Sequence, residues 1–318
     1  MKLLMICSLL CISPMTLAND STGYVGTGGI EYLKNKNIAM QSEDLFISKK
    51  IIKVDYQFKN LSKQDVTETI LFPLPQLDNY RDGDFAHTEE LLKSFKVQVD
   101  GKTVVPQMHV RAFMKPFKNG EVDENAKEID VTEEFNRCGF SEKDLLTPWM
   151  DASESKFFST KISNCKMPKI QKLVQGYTKD QEIYWIGQVI YNWKQTFKAN
   201  SITQVQHQYK PLVGGSVALY MPENGKQYCM DQSFKAGLKK AQIQHAPYSA
   251  LGYILTTGAN WAKPIQNFKL TIERNQGELV SFCWNGKVKK ISPTQFQMVE
   301  KDFVPKQDLD IIFVNPNR

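Results

Sequence analysis

Three groups of residues in this 318-residue chain could do chemistry: four histidines, six cysteines and the stretch Thr256-Thr257-Gly258-Ala259-Asn260-Trp261. A metal site would need Cys, His or carboxylate ligands at short, regular spacings. The chain has no Cys-x-x-Cys pair, and His87, His109, His207 and His245 lie far apart in sequence. No metal and no cofactor is therefore expected. A hydrolase needs a base beside a nucleophile, and His207, mid-strand among aromatics, is the best-placed base, with His245 as the other candidate. Neither is accompanied by a Gly-x-Ser-x-Gly elbow, a His-Glu-x-x-His pair or a phosphate loop. A triad can assemble from any positions, so a missing motif does not exclude one. The ordinary role of a strand histidine among aromatics is a structural hydrogen bond. The TTGANW stretch follows a strand, at a loop where binding residues tend to sit. Its Trp could stack on a sugar while Thr256, Thr257 and Asn260 hydrogen-bond to it. The ordinary reading is a turn at Gly258 and Asn260 with Trp261 plugging the core. The candidate ligand-binding residues are thus Thr256, Thr257, Asn260, Trp261 and His207; no catalytic residue is assigned.

The compartment narrows these options. Met1-Lys2 leads into an apolar run broken by Pro14, and Thr16-Leu17-Ala18 supplies small residues where a signal peptidase reads. This order is that of a secretory signal peptide over residues 1–18, cleaved after Ala18. The apolar run is shorter than the about 20 residues a spanning helix needs. Leu10 before Cys11 and Ile6 before Cys7 do not suit lipid attachment. No later segment is apolar enough to span a bilayer as a helix. The expected location is the periplasm, with secretion as the alternative.

Signal removal takes Cys7 and Cys11 with it and leaves Cys138, Cys165, Cys229 and Cys283. An even set in an exported chain reads as two disulfides. Four cysteines allow three connectivities. Cys138–Cys165 with Cys229–Cys283 is preferred, because each pair lies within one region. A redox role would instead require free thiols. The formal charge is +6, from 40 basic and 34 acidic residues, and the basic ones are scattered. Nucleic-acid binding wants a concentrated basic stripe, so none is expected.

The elements that would position these residues are mostly strands. Ile52, Val54, Tyr56 and Phe58 alternate with polar positions, as in a half-buried strand. A polar loop at 60–65 follows, then a strand over Val66 to Phe72 that ends at Pro73-Leu74-Pro75. This reads as a hairpin-like unit of a sandwich. Asp100-Gly101 and Asn285-Gly286 each sit between strand patterns and read as hairpin turns needing positive φ. Residues 182–197 form a long strand, and Ile202 to Tyr209 is expected to pair back on it after a turn at 198–201. His207 shares a face there with Val205 and Tyr209. Tyr253–Thr257, Phe268–Glu273, Phe296–Val299 and Leu309–Val314 read as further strands. Residues 19–29, rich in Gly, Ser and Thr, read as a loosely held start. The region 115–180 is charged and carries the helix signals: Thr132 to Phe135, with Gly139 as a stop, and a capping-box start at Ser141. Asp231 begins a helix near 231–240. The expected fold class is mainly β: two sandwich-like, immunoglobulin-like units with a small helical, disulfide-stapled insertion. The expected boundaries are 19–114 for the N-terminal unit, 115–180 for the insertion and 181–318 for the C-terminal unit.

Several segments together resemble a known family. They are Asn19-Asp20-Ser21, the stretch Met40 to Ser48, Phe72-Pro73-Leu74-Pro75, Trp193 to Phe197, His207 to Pro211, Tyr253 to Trp261, and Val280 to Cys283. This set resembles the bacterial exported proteins grouped as domain of unknown function 4424, over nearly the whole mature chain. The resemblance implies a Gram-negative envelope protein with no established activity. Val54 to Pro75 also resembles the strand–loop–strand of vault/inter-alpha-trypsin-inhibitor-type domains, which implies an immunoglobulin-like β unit and no particular function. The functional expectation is a non-catalytic binding or scaffolding module with an envelope protein or glycan as partner. A hydrolase acting on envelope glycan or peptide through His207 or His245 is the alternative.

Overall fold

Period-two alternation governs most of the chain, and the result is mainly β, with 44% strand and 19% helix. The computed structural model describes residues 20–26, 29–77, 88–118, 120–146, 152–178, 181–240 and 246–315. The expected signal peptide, His87 and His245 lie outside the described residues. The first elements are β1 (Ser21–Gly26), β2 (Gly29–Leu33), β3 (Ile38–Ser48), β4 (Ile52–Asn60), β5 (Val66–Pro73), α1 (Thr88–Ser94), β6 (Lys96–Val99), β7 (Lys102–Val104) and β8 (Gln107–Met114). The charged region holds β9 (Phe117–Lys118), β10 (Glu121–Val122), β11 (Ile129–Asp130), α2 (Thr132–Arg137), α3 (Glu142–Leu145), α4 (Ala152–Asn164) and α5 (Pro168–Leu173). Then come β12 (Ile186–Phe197), β13 (Ile202–Tyr209), β14 (Gly214–Ser216), α6 (Met221–Gln227), α7 (Gln232–Lys240) and β15 (Tyr248–Tyr253). A 3-10 turn (Thr256–Asn260) leads to β16 (Ile265–Glu273), β17 (Leu279–Phe282), β18 (Lys289–Lys290), β19 (Gln295–Phe303) and β20 (Leu309–Val314).

Two large sheets face each other. One has eight strands in the order β18-β19-β16-β3-β4-β13-β6-β7, the other six in the order β11-β8-β12-β5-β1-β2. The β3–β16 pair is parallel. Tyr56, Phe58 and Val205 from the first sheet share one core with Ile70, Phe72, Tyr191 and Trp193 from the second. Strands before and after the 115–180 segment therefore interleave in both sheets. A four-stranded sheet, β14-β15-β20-β17, closes one side. Along β20, Leu309, Ile311 and Phe313 enter the main core, while Ile312 and Val314 pack on Phe234 and Leu238 of α7. Burial on both faces explains that continuous apolar run. The charged region has a core of its own, built on Phe135, Phe140, Leu145, Ile162 and Trp185.

Where the chain was expected to turn back within a sheet, it twice crosses between sheets instead. β4 pairs with β3 and β13, and β5 with β1 and β12, so the 60–65 loop is an arch between sheets. The 198–201 turn is a second arch, from β12 to β13. The two arches lie side by side and are tied together. Asn60, 0% exposed, donates from Nδ2 to the Gln64 and Phe197 carbonyls (2.8 and 2.9 Å) and accepts at Oδ1 from the Ser62 N–H (2.8 Å). Its backbone N–H donates to the Ser201 carbonyl at 3.1 Å, and the Asn200 N–H to the Ser62 carbonyl at 3.2 Å. Asp65 accepts from the Ala199 N–H and Lys198 Nζ. Alternation identifies the buried face of a strand, but it carries no information about which sheet the strand joins.

Other local signals act as expected. Asp100 (φ 48°) and Gly101 (φ 76°) turn β6 into β7. Gly139 (φ 81°) follows α2, Ser141 and Asp144 form a reciprocal capping box on α3, and Asp231 Oδ1 accepts from the Phe234 N–H at the start of α7. The disulfides are Cys138–Cys165 and Cys229–Cys283, with Cα atoms 5.6 and 5.0 Å apart. Three expectations are corrected. Residues 21–26 are strand β1, not a loose lead-in, because β5 offers an edge to pair with. Thr256 and Thr257 belong to the 3-10 turn and not to a strand. The Asn285-Gly286 turn joins no hairpin: β17 pairs with β20, β18 pairs with β19, and neither turn residue has positive φ.

The arch makes a testable demand. Asn60→Leu keeps the branched side-chain skeleton but loses the three side-chain hydrogen bonds, at about 1 kcal/mol each. A loss of about 3 kcal/mol is expected in urea unfolding, against about 0.5 kcal/mol for an exposed control such as Gln204→Ala.

Candidate functional site

His207 lies on β13, a middle strand of the eight-stranded sheet, and alternation turns its side chain into the core, where it is 0% exposed. Tyr56, Phe72, Phe95 and Trp193 surround it edge-on, with ring centroids 4.9 to 5.6 Å away. Its Nε2 lies 3.4 Å from Oδ2 of Asp20, itself 0% exposed. Glu43 of β3 is buried nearby, and the Tyr56 and Tyr253 hydroxyls lie 3.5 Å apart. Burial pushes His207 down to about 3. It raises Asp20 well above the usual carboxylate range, and the neighbouring Glu43 charge adds to this. Burial thus favours the uncharged form of both groups. The chemistry is that of a general acid–base pair, but no solute reaches the imidazole in this conformation.

The TTGANW segment closes over the same centre. Asp308 Oδ1 accepts from the Leu255 and Thr256 N–H groups (both 3.0 Å) and the Thr256 hydroxyl (2.8 Å). Thr257 is 0% exposed. Asn260 donates to Ser21 Oγ at 3.1 Å, and Trp261 Nε1 to the Asp20 carbonyl at 2.8 Å. The Trp261 ring packs on Phe58, centroids 4.5 Å apart. The structure therefore brings His207 and Trp261 together around Asp20 inside the sandwich, and Thr257 is buried and not at an open surface. The other half of the cluster escaped sequence reasoning. Glu43 had a visible signal, since it shares parity with Leu45 and Ile47. Asp20, in a polar segment without periodicity, had none.

An open pocket of about 280 Å³ lies where the 255 turn, the 285–286 turn and the ends of β19 and β20 converge. Trp284, Phe303, Leu255 and Leu309 form its apolar wall; Glu300 and Lys306 are its charged lining residues. Trp284 stacks on the fully buried Phe268 (5.9 Å, 15°) and lies 5.6 Å from Phe303. The Cys229–Cys283 disulfide fixes the residue beside it. Among the described residues, the Trp284 indole N–H is buried and has no hydrogen-bond partner. Gly286 is needed for close approach: a Cβ there would run into the Glu300 carboxylate and come within 2.8 Å of Trp284 Nε1. A donor and a carboxylate thus meet over one glycine beside two aromatic rings. The Asn-Gly pair was visible in the sequence, whereas the convergence of Trp284, Glu300 and Phe303 depends on three separate elements.

Fold and sites together define a mainly β, doubly disulfide-bonded sandwich protein with a sealed polar centre and an open aromatic pocket. Among its described residues no helix is long and apolar enough to cross a membrane. The chain belongs to the family described as a domain of unknown function, DUF4424, whose model matches residues 18–312. No curated protein matches it. Among solved structures it is similar to a Legionella pneumophila protein provisionally described as nutrient-binding, at 14% identity and a TM-score of 0.45, over 93% of this chain and 69% of that one. It is also similar to native yeast LTA4 hydrolase, at 11% identity and a TM-score of 0.28, over 90% of this chain and 31% of that one.

The buried pair sets a pH dependence. Burial lowers His207 to about 3 and raises Asp20. A histidine whose folded value lies below its unfolded value of about 6.5 costs stability as pH falls below 6.5, whereas a carboxyl raised in the folded state costs stability as pH rises above about 4. Between these values the two oppose each other. Asp20→Asn removes the share of the carboxyl, so its stability should fall by up to about 1.4 kcal/mol per pH unit from pH 6.5 to 4.5, more steeply than that of the unsubstituted protein. Urea unfolding at pH 6.5 and 4.5 measures this.

Proposed function

We propose that this protein is an exported, periplasmic, non-catalytic binding module whose Trp284 pocket takes a compact polar ligand, one sugar residue of an envelope glycan. One observation carries this reading: the Trp284 and Phe303 rings and the Glu300 carboxylate line one solvent-open pocket. A pyranose ring offers apolar C–H faces to pack on this aromatic wall and a hydroxyl proton to donate to Glu300. The volume falls just under the roughly 300 Å³ lower end for drug-sized ligands, which suits a single sugar unit. Two disulfides and the signal-like N-terminus support an oxidising compartment. The burial of His207 removes the main support for the hydrolase alternative, and His245 lies outside the described residues.

A sugar of about 15 non-hydrogen atoms at about 0.3 kcal/mol each gives Kd on the order of 1 mM. Titration with glucose and with N-acetylglucosamine, followed by tryptophan fluorescence, should show saturable quenching in that range. Gly286→Ala, whose Cβ would displace the Glu300 carboxylate, should weaken binding at least tenfold with little change in the urea midpoint, whereas Trp284→Ala should weaken binding and also lower the midpoint, because its ring packs on the core. A folded wild-type protein that saturates with neither sugar would sink the reading. Separately, N-terminal sequencing of envelope material should begin at Asn19.

A further inference from the structure

Alternation on three neighbouring strands turns a set of polar side chains away from the core. Lys53, Gln208 and Lys96 stand opposite one another on β4, β13 and β6, and the next outward row is Asp55, Gln206 and Gln98. These residues line a trough of about 180 Å³ on the outer face of the eight-stranded sheet. Strands β16, β3 and β4 separate β13 from β19, which borders the Trp284 pocket, so the trough is a different place in the fold. Other outward lysines of this sheet are engaged: Lys269 with Asp44, Lys59 with the Asn200 carbonyl, and Lys301 with Asn267 Oδ1. Among the described residues, Lys53 and Lys96 have no ion-pair or hydrogen-bond partner. Their Cα atoms are about 10 Å apart, two strand spacings, so both stems reach a group seated over Gln208. Asp55 accepts a hydrogen bond from Gln206 Nε2.

We propose that this trough is a second binding site, for a phosphate monoester on a hydroxylated carrier, that is, a sugar phosphate. The phosphate sits between Lys53 and Lys96 over Gln208, and a hydroxyl of the carrier donates to Asp55. The site does not depend on the reading of the Trp284 pocket. Donor supply selects phosphate over carboxylate. Each ammonium brings three N–H groups and the Gln208 and Gln98 amides two each, more than two carboxylate oxygens can use. A phosphate monoester presents three strong acceptor oxygens, and its charge of about −1.5 to −2 at pH 7 matches the two lysines. Asp55 selects the ester over free phosphate. It lies two residues along β4 from Lys53, about 7 Å, where it repels a bare dianion but accepts a hydroxyl proton from the carrier. A carboxylate has about four acceptor positions, so the bond from Gln206 leaves room for that hydroxyl.

The test is isothermal titration calorimetry at low ionic strength with glucose 6-phosphate, inorganic phosphate and glucose. Glucose 6-phosphate is expected to bind saturably and tighter than inorganic phosphate. Lys53→Gln and Lys96→Gln should each weaken both phosphate ligands at least tenfold, with the urea midpoint and the glucose titration unchanged. Lys59→Gln, on the same face, should alter neither. Asp55→Asn should tighten inorganic phosphate and narrow the advantage of glucose 6-phosphate over it. Gly286→Ala, impaired at the other pocket, should keep full affinity for glucose 6-phosphate, which separates failure of this site from failure of the glycan reading. A folded protein that saturates with neither phosphate ligand overturns the proposal. So does a loss in Lys59→Gln equal to that in Lys53→Gln, which would mark diffuse charge and not a site. Inorganic phosphate binding as tightly as glucose 6-phosphate overturns the assignment to an ester.

Discussion

Two arches laid side by side set the geometry on which the rest of this protein depends. Each carries the chain from one sheet to the other, and Asn60 ties them through groups that are wholly buried. A buried amide must satisfy its donors and acceptor, or the core bears the desolvation cost. Because β4 pairs with β13 and β5 with β12, the two arches fix the spacing and facing of both sheets at once. The inner face of β13, with Val205, His207 and Tyr209, is thereby aimed at β5 and β12.

That arrangement leaves a polar centre inside an aromatic core. Asp20, Glu43, His207, Tyr56 and Tyr253 would be costly there as charges, and burial shifts Asp20 and His207 toward their uncharged forms. The Asn260 and Trp261 bonds to Ser21 and Asp20 hold the same segment from the other side. The open pocket is a separate device at the margin of the fold. Its Trp284 rests on the buried Phe268 and beside a disulfide, so its aromatic wall is held by the core, and Glu300 and Lys306 line its open side.

Local signals were readable where their cause is local. The positive φ at Asp100-Gly101, the Ser141 capping box, the Asp231 cap and the parity of His207 each follow from a few adjacent residues. The disulfide pairing followed from proximity along the chain. Asn285-Gly286 was visible as a turn, yet its glycine answers to Glu300 and Trp284 and not to backbone strain. The strand to which β4, β5, β12 or β13 hydrogen-bonds was not visible, because period-two alternation is the same for a hairpin and an arch.

The amino-acid sequence by itself determined the class, the buried face of each strand, the caps and the covalent staples, since each depends on neighbours a few residues apart or on residue chemistry alone. Only the tertiary structure decided which residues form a site. Asp20 meets His207, and Trp284 meets Glu300 and Phe303, through strand pairings that join distant segments. Those pairings are chosen by the fit of whole faces and the satisfaction of buried polar groups, a constraint that no single segment carries.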